Sequence, residues 1–137
     1  RDDILRDSQQ FSIRLTGFDT WNATHLRTQL QGAGLDVEAF PQTYMKFSPV
    51  AKSAEVFVNR KIIRHNGDPV LTWAMSNVVM ETDANANIKP NKKKSANKID
   101  PAIAFLMSFG TWQIQHEDFA FSLTSEQQAR LADFEGI

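Results

Sequence analysis

Asp100 stands between a cationic stretch and an almost wholly apolar one. In NKKKSANKIDPAIAFLM, residues 91–107, Lys92, Lys93, Lys94 and Lys98 precede the acid, with Lys89 just upstream. Clustered lysines attract phosphate through charge alone. A carboxylate is a hard oxygen ligand of the kind Mg²⁺ and Mn²⁺ prefer. A second acid, Asp19, follows the alternating run FSIRLTGF, which reads as a strand. In α/β folds ligands gather outside the carboxyl ends of strands. If the helix that Asp100 opens packs on the same sheet, Asp19 and Asp100 meet at one rim. Converging carboxylates hold a divalent ion, and two such ions clamp the attacking and leaving oxygens of a phosphodiester. Lys92, Lys93, Lys94 and Lys98 would then contact the polyanion backbone without reading its sequence.

Simpler roles for the same residues stay open. Asp before Pro at a helix start is a common cap. An acid after a strand is often only a turn residue. A lysine run is often a solvated hairpin end. His25, His65 and His116 are far apart and make no metal-ligand spacing; His65 reads as a loop residue beside Asn66–Gly67. Trp21, Trp73 and Trp112 read as core or near-core packing. The six glycines match no phosphate-loop spacing, no nucleophile elbow is present, and there is no cysteine.

The elements that must hold Asp19 and Asp100 follow from hydrophobic period. The chain has 137 residues, 42% hydrophobic and 23% charged, which fits one domain with a real core. Net charge is −1, so any polyanion affinity is local to the lysines. No apolar run reaches a membrane span, and RDDILRDSQQ is too polar for a signal peptide, so the expected compartment is the cytoplasm. Residues 1–10 form a short helix or a frayed end. Residues 11–40 read as strand, helix, strand, a parallel crossover unit, with Asn22 as helix cap and Gly32 or Gly34 as its end. Ser48 as cap with Pro49 in the first turn predicts a helix buried through Val50, Ala54, Phe57, Val58 and Ile62. Asp68 and Pro69 open another. Residues 78–98 read as a hairpin around Asp83–Asn87 with a lysine-rich loop, 100–115 as a buried helix. A terminal helix follows with a Ser125–Gln128 capping box. The class is α/β.

Several of these pieces, in order, resemble the C-terminal nuclease domain of the large terminase subunit of tailed bacteriophages. Phe18-Asp19-Thr20-Trp21 is similar to that family's strand-ending acid followed by Trp and a helix. His65 through Trp73, HNGDPVLTW, and Ser76-Asn77-Val78 match a conserved-order block. The lysine stretch and Lys98-Ile99-Asp100, running to Ala104, match its last motif, with Pro101 where the family commonly has Gly. The resemblance spans about residues 11 to 110.

That resemblance implies an RNase H-like nuclease fold that cleaves concatemeric double-stranded DNA during genome packaging. It implies Mg²⁺ or Mn²⁺, two ions, held by an acidic cluster that includes Asp19 and Asp100. In the full-length protein it implies a portal and a small terminase subunit as partners, with no membrane, in the cytoplasm of a host cell carrying a phage or prophage. The family's first acid and first strands have no counterpart upstream. The expectation is therefore a single partial nuclease domain over 1–137, incomplete at the N-terminal side of the sheet, with an exposed edge along Phe11–Phe18 that invites pairing with a second copy. A non-catalytic DNA- or portal-docking module is the alternative, and another RNase H-like nuclease such as a resolvase or integrase is a third.

Overall fold

A computed structural model describes residues 1–20 and 23–116. Trp21, the expected cap Asn22 and the expected terminal helix lie outside them. In chain order the elements are α1 (Asp2–Gln10), β1 (Thr16–Phe18), α2 (Thr24–Gly32), β2 (Val37–Ala39), α3 (Tyr44–Asn59), α4 (Pro69–Ser76), β3 (Met80–Thr82), β4 (Ile88–Pro90) and α5 (Asp100–Gln115).

β1 and β2 pair in parallel, Thr16 opposite Val37 and Phe18 opposite Ala39, with α2 as the crossover. The first strand is shorter than its alternation suggests. The Ile13 N–H donates to the Phe11 carbonyl at 2.9 Å, a local turn that takes the chain out of extended pairing before Thr16. Alternation needs a partner to become a ladder, and among the described residues β2 alone pairs with β1. The Thr16 N–H donates to Asp36 and the Phe18 carbonyl accepts from Phe40. The intervening Gly17 therefore turns its amide and carbonyl to the opposite edge.

α5 packs against α3, α4 and β1. Its Ile103, Leu106 and Phe109 join Phe40, Phe47, Val50, Ala54, Phe57 and Ile99 in one core. Phe57 meets Phe109 edge-on at 5.1 Å between ring centroids, and Phe109 stacks on Trp112. Each fully buried Phe or Leu contributes about 1.5–3 kcal/mol relative to its exposed state.

The third helix starts earlier than Ser48–Pro49 predicts. Thr43 is the cap, its hydroxyl accepting from the Lys46 N–H, and Pro49 lies inside the helix. The hydrogen bond that Pro49 lacks would end on the carbonyl of Met45. Met45 lies in the first turn of the helix, and the residue is 84% exposed. Val58 and Ile62, expected in the core, are 48% and 39% exposed at and beyond the end of α3. Trp73, also expected inside, is 46% exposed on α4. α4 starts as its sequence suggests: Asp68 Oδ1 accepts from the Leu71 N–H at 2.7 Å, with Pro69 in the first turn.

Two glycines let the layers touch. A Cβ on Gly17 would fall 2.3 Å from Thr111 Oγ1, and one on Gly110 would fall 2.5 Å from Phe40 Cε2 and 2.8 Å from Val50 Cγ2. Phe40 and Val50 are both buried and have no room to yield. Gly110→Ala is therefore expected to destabilise the protein. Overpacking costs about 1–3 kcal/mol against a helix-propensity gain of about 1, a net loss of up to about 2 kcal/mol. Gly32, with open space around its Cβ position, should accept Ala with no loss. Urea denaturation of the two variants separates these outcomes.

Candidate functional site

Asp19 is the first residue after β1 and is half-buried. Gln42 Nε2, from the segment between β2 and α3, donates to Asp19 Oδ2 at 2.9 Å. The parallel pairing of β1 with β2 brings these residues together across 23 positions of sequence.

Asp100 is the first residue of α5. It does not act as that helix's cap: the cap position is Ile99, buried in the core, and no side chain closes the end. The Asp100 carboxylate instead receives Lys92 Nζ at 2.5 Å. The hydrogen bond and charge of Lys92 hold the Asp100 carboxyl below its ordinary value, with Lys98 adding a smaller pull against partial desolvation. The pair is open to water, at 53% and 61% side-chain exposure. An ion pair so exposed is worth about 1 kcal/mol or less. It orients the groups but yields readily to a competing anion or cation.

The lysines do not sit at the hairpin tip. β3 and β4 pair antiparallel around residues 83–87, where Asp83 Oδ1 accepts from the Asn85 and Asn87 N–H groups. Lys92, Lys93 and Lys94 follow β4 in a turn that leads to α5. Asn91 ties that turn together. Its Oδ1 accepts from the Lys93 and Lys94 N–H groups at 2.8 and 3.0 Å, and its Nδ2 donates to Glu81. Glu81 also engages Tyr44 and Lys89. Partial burial pushes the Glu81 carboxyl up, but hydrogen bonds from Tyr44, Asn91 and Lys89 outweigh it and hold the group low. Lys89 Nζ lies 4.7 Å from the Tyr44 ring centroid. Asn91, Glu81, Tyr44 and Gln42 were not singled out from sequence. Only Asn91 carries a local signal, as a turn-forming residue ahead of a charged run.

Asp100 opens α5, and Asp19 follows β1, which packs against the same helix. Gly17 of β1 rests on Thr111, with the Met107 carbonyl close by. Among the described residues no group of three or more acidic, histidine or cysteine side chains is gathered as a metal cluster. An apolar cleft of about 410 Å³ lies elsewhere, lined by Val58, Leu71, Met75 and Phe105 with Arg64 and His65. It includes neither acid and none of the lysines 92–98, and its lining is wrong for a polyanion.

The family described as terminase large subunit, endonuclease domain, matches residues 4–117. The chain belongs to that family. Two curated relatives fit. Terminase, large subunit, of Enterobacteria phage HK97 is 30% identical over 110 residues, 79% of this chain and 22% of that protein. Protein YmfN of Escherichia coli K12 is 30% identical over 106 residues, 76% of this chain and 23% of that protein. The crystal structure of the HK97 bacteriophage large terminase superposes with a TM-score of 0.72 at 30% identity, covering 80% of this chain and 23% of that one. This terminase nuclease chain thus spans under a quarter of the length of the relatives it matches. No helix among its described residues is long and apolar enough to cross a membrane.

Replacing Lys92 by Met should move the Asp100 carboxyl back up toward its ordinary value, as followed by carboxyl NMR titration. The lowered group stabilises the fold above its unfolded-state pKa of about 3.9 and loses that contribution as pH falls through the folded value. The stability difference between parent and Lys92→Met should therefore be present at neutral pH and fade below about pH 4. An Asp100 titration unchanged by the substitution would mean the ion pair does not form in solution.

Proposed function

We propose that the chain is the metal-dependent endonuclease domain, or part of it, of a phage DNA-packaging terminase with an RNase H-like fold, hydrolysing phosphodiesters of double-stranded concatemeric DNA. The observation that carries this reading is the lysine turn folded back onto the acid at the start of α5, within a chain of the terminase nuclease family. Asp19 and Asp100 are the proposed ligands of Mg²⁺ or Mn²⁺, and Lys92, Lys93, Lys94 and Lys98 the proposed phosphate contacts. The donor set suits a hard cation: both groups are carboxylates, and Mg²⁺ commonly takes one or two carboxylates with waters and substrate phosphates completing its shell.

When bound, such ions supply charge neutralisation at the scissile phosphate and a water of lowered pKa. The chain's own residues do the rest. α5, seated in the core, fixes where Asp100 stands. Gln42 orients Asp19 by donating to Oδ2. Lys92 holds Asp100 in the free protein and is drawn off by phosphate, which frees the carboxylate as the backbone arrives. The proposed setting is the host cytoplasm, with portal and small terminase subunit as partners of the longer protein. The outward edge of Gly17 is the proposed place for a second copy to pair, which sedimentation velocity would register as a concentration-dependent dimer.

A second reading, a non-catalytic DNA- or portal-docking module, is favoured by the partners that Asp19 and Asp100 already have. Two measurements separate them. In supercoiled-plasmid nicking with Mn²⁺, Asp100→Ala should lose at least about 100-fold in rate, since about 2.7 kcal/mol of transition-state stabilisation is a modest share for a metal-binding group. Equal cutting by parent and variant removes Asp100 from the mechanism. In Mn²⁺ titration, binding should weaken in both Asp19→Asn and Asp100→Asn; a parent that binds no Mn²⁺ supports the docking module.

A further inference from the structure

The lysine turn has an internal scaffold that the proposed chemistry does not itself require. Three consecutive lysines repel one another, and an unconstrained loop would spread them. Here the turn is knotted around Asn91. Besides the side-chain bonds from Lys93, Lys94 and to Glu81, its N–H donates to the Val79 carbonyl at 2.8 Å. Its carbonyl accepts from the Ser95 N–H at 3.1 Å and the Ser95 hydroxyl at 2.7 Å. Ser95 Oγ in turn accepts from the Val79 N–H at 3.2 Å. The far end of this network is fixed too, because Glu81 is held from α3 by Tyr44 and from β4 by Lys89.

The geometry points to Asn91 as a positioning residue: clamped on Glu81, it sets the Lys92–Lys94 turn so that the ammonium groups act as one phosphate-binding surface with Lys92 beside Asp100. This rests on reading the turn as a phosphate-contact surface, as proposed above. Asn91 touches neither phosphate nor metal; it acts through the backbone of Lys93 and Lys94. An amide suits the task because it accepts from two N–H groups on one side while donating to a carboxylate on the other. Aspartate keeps the acceptor and turns the donor into a repulsion with Glu81.

The test is binding of a 20-base-pair duplex by the full chain, followed by fluorescence anisotropy across a salt series. Each phosphate contact contributes about −0.9 to the slope of log affinity against log salt. Asn91→Ala should flatten the parent slope by about one or more and weaken binding several-fold at low salt. Asn91→Asp should do the same, and adding Glu81→Gln to it should restore the slope, because the glutamine amide can donate to the new carboxylate. A purely structural role would lower the melting temperature and leave the slope alone. A folded Asn91→Ala with the parent slope overturns the inference. So does failure of Glu81→Gln to rescue Asn91→Asp, or a parent with no salt-dependent binding. If Asn91→Ala does not fold, the Asn91→Asp pair decides. Plasmid nicking by the same proteins keeps the two ideas apart: a parent that binds with a steep slope but does not cut sinks the nuclease reading, while a slope lost in Asn91→Asp and regained with Glu81→Gln still supports Asn91.

Discussion

The close approach of α5 to β1 and to Phe40 is the constraint on which the site depends. It exists because Gly17 and Gly110 present no Cβ where Thr111, Phe40 and Val50 already fill the space. With α5 so seated, Ile99 is locked in the core and Asp100 emerges at a fixed point on its rim. Any side chain at Gly110 would have to displace buried rings, and a displaced α5 would carry Asp100 with it. The packing of a buried glycine thus sets the position of a surface carboxylate ten residues away.

Charge is handled by geometry as much as by composition. The chain is nearly neutral, yet two of three adjacent lysines, Lys93 and Lys94, are tied through their N–H groups to one asparagine. Glu81 and Asp100 lie at the two ends of that arrangement, each compensating part of the positive field. The Lys92–Asp100 contact is exposed and weak, which suits a group that must change partners. The half-buried Glu81 contact, with its three donors, suits a group that stays in place.

Much of this was legible in the residues. The Asp68–Pro69 helix start, the Asp83 turn and the strand–helix–strand run over 11–40 rest on local chemistry: a cap, an Asx turn, a period of two changing to 3.6. What local signals missed came from the third dimension. Ser48–Pro49 looks like a helix start, but Thr43 supplies the cap and the helix runs on through the proline. Phe11–Leu15 alternates like a strand but has no ladder partner among the described residues. Asp100 before Pro101 looks like a cap, and only the fold of the turn brings Lys92 across eight positions to claim its carboxylate. Asn91 offered nothing beyond turn propensity, since its importance comes from Glu81 on the neighbouring strand.

The order of elements has a consequence for synthesis at the ribosome. α5 follows every other described element, yet it is the piece that α3, α4 and β1 all lean on. Until it emerges, Phe40, Phe47 and Phe57 lack the surface that covers them, and the strands are too short to hold a sheet by themselves. Between the emergence of Phe40 and that of α5 the nascent chain therefore carries these rings uncovered, a window in which chaperone binding or aggregation competes with closure.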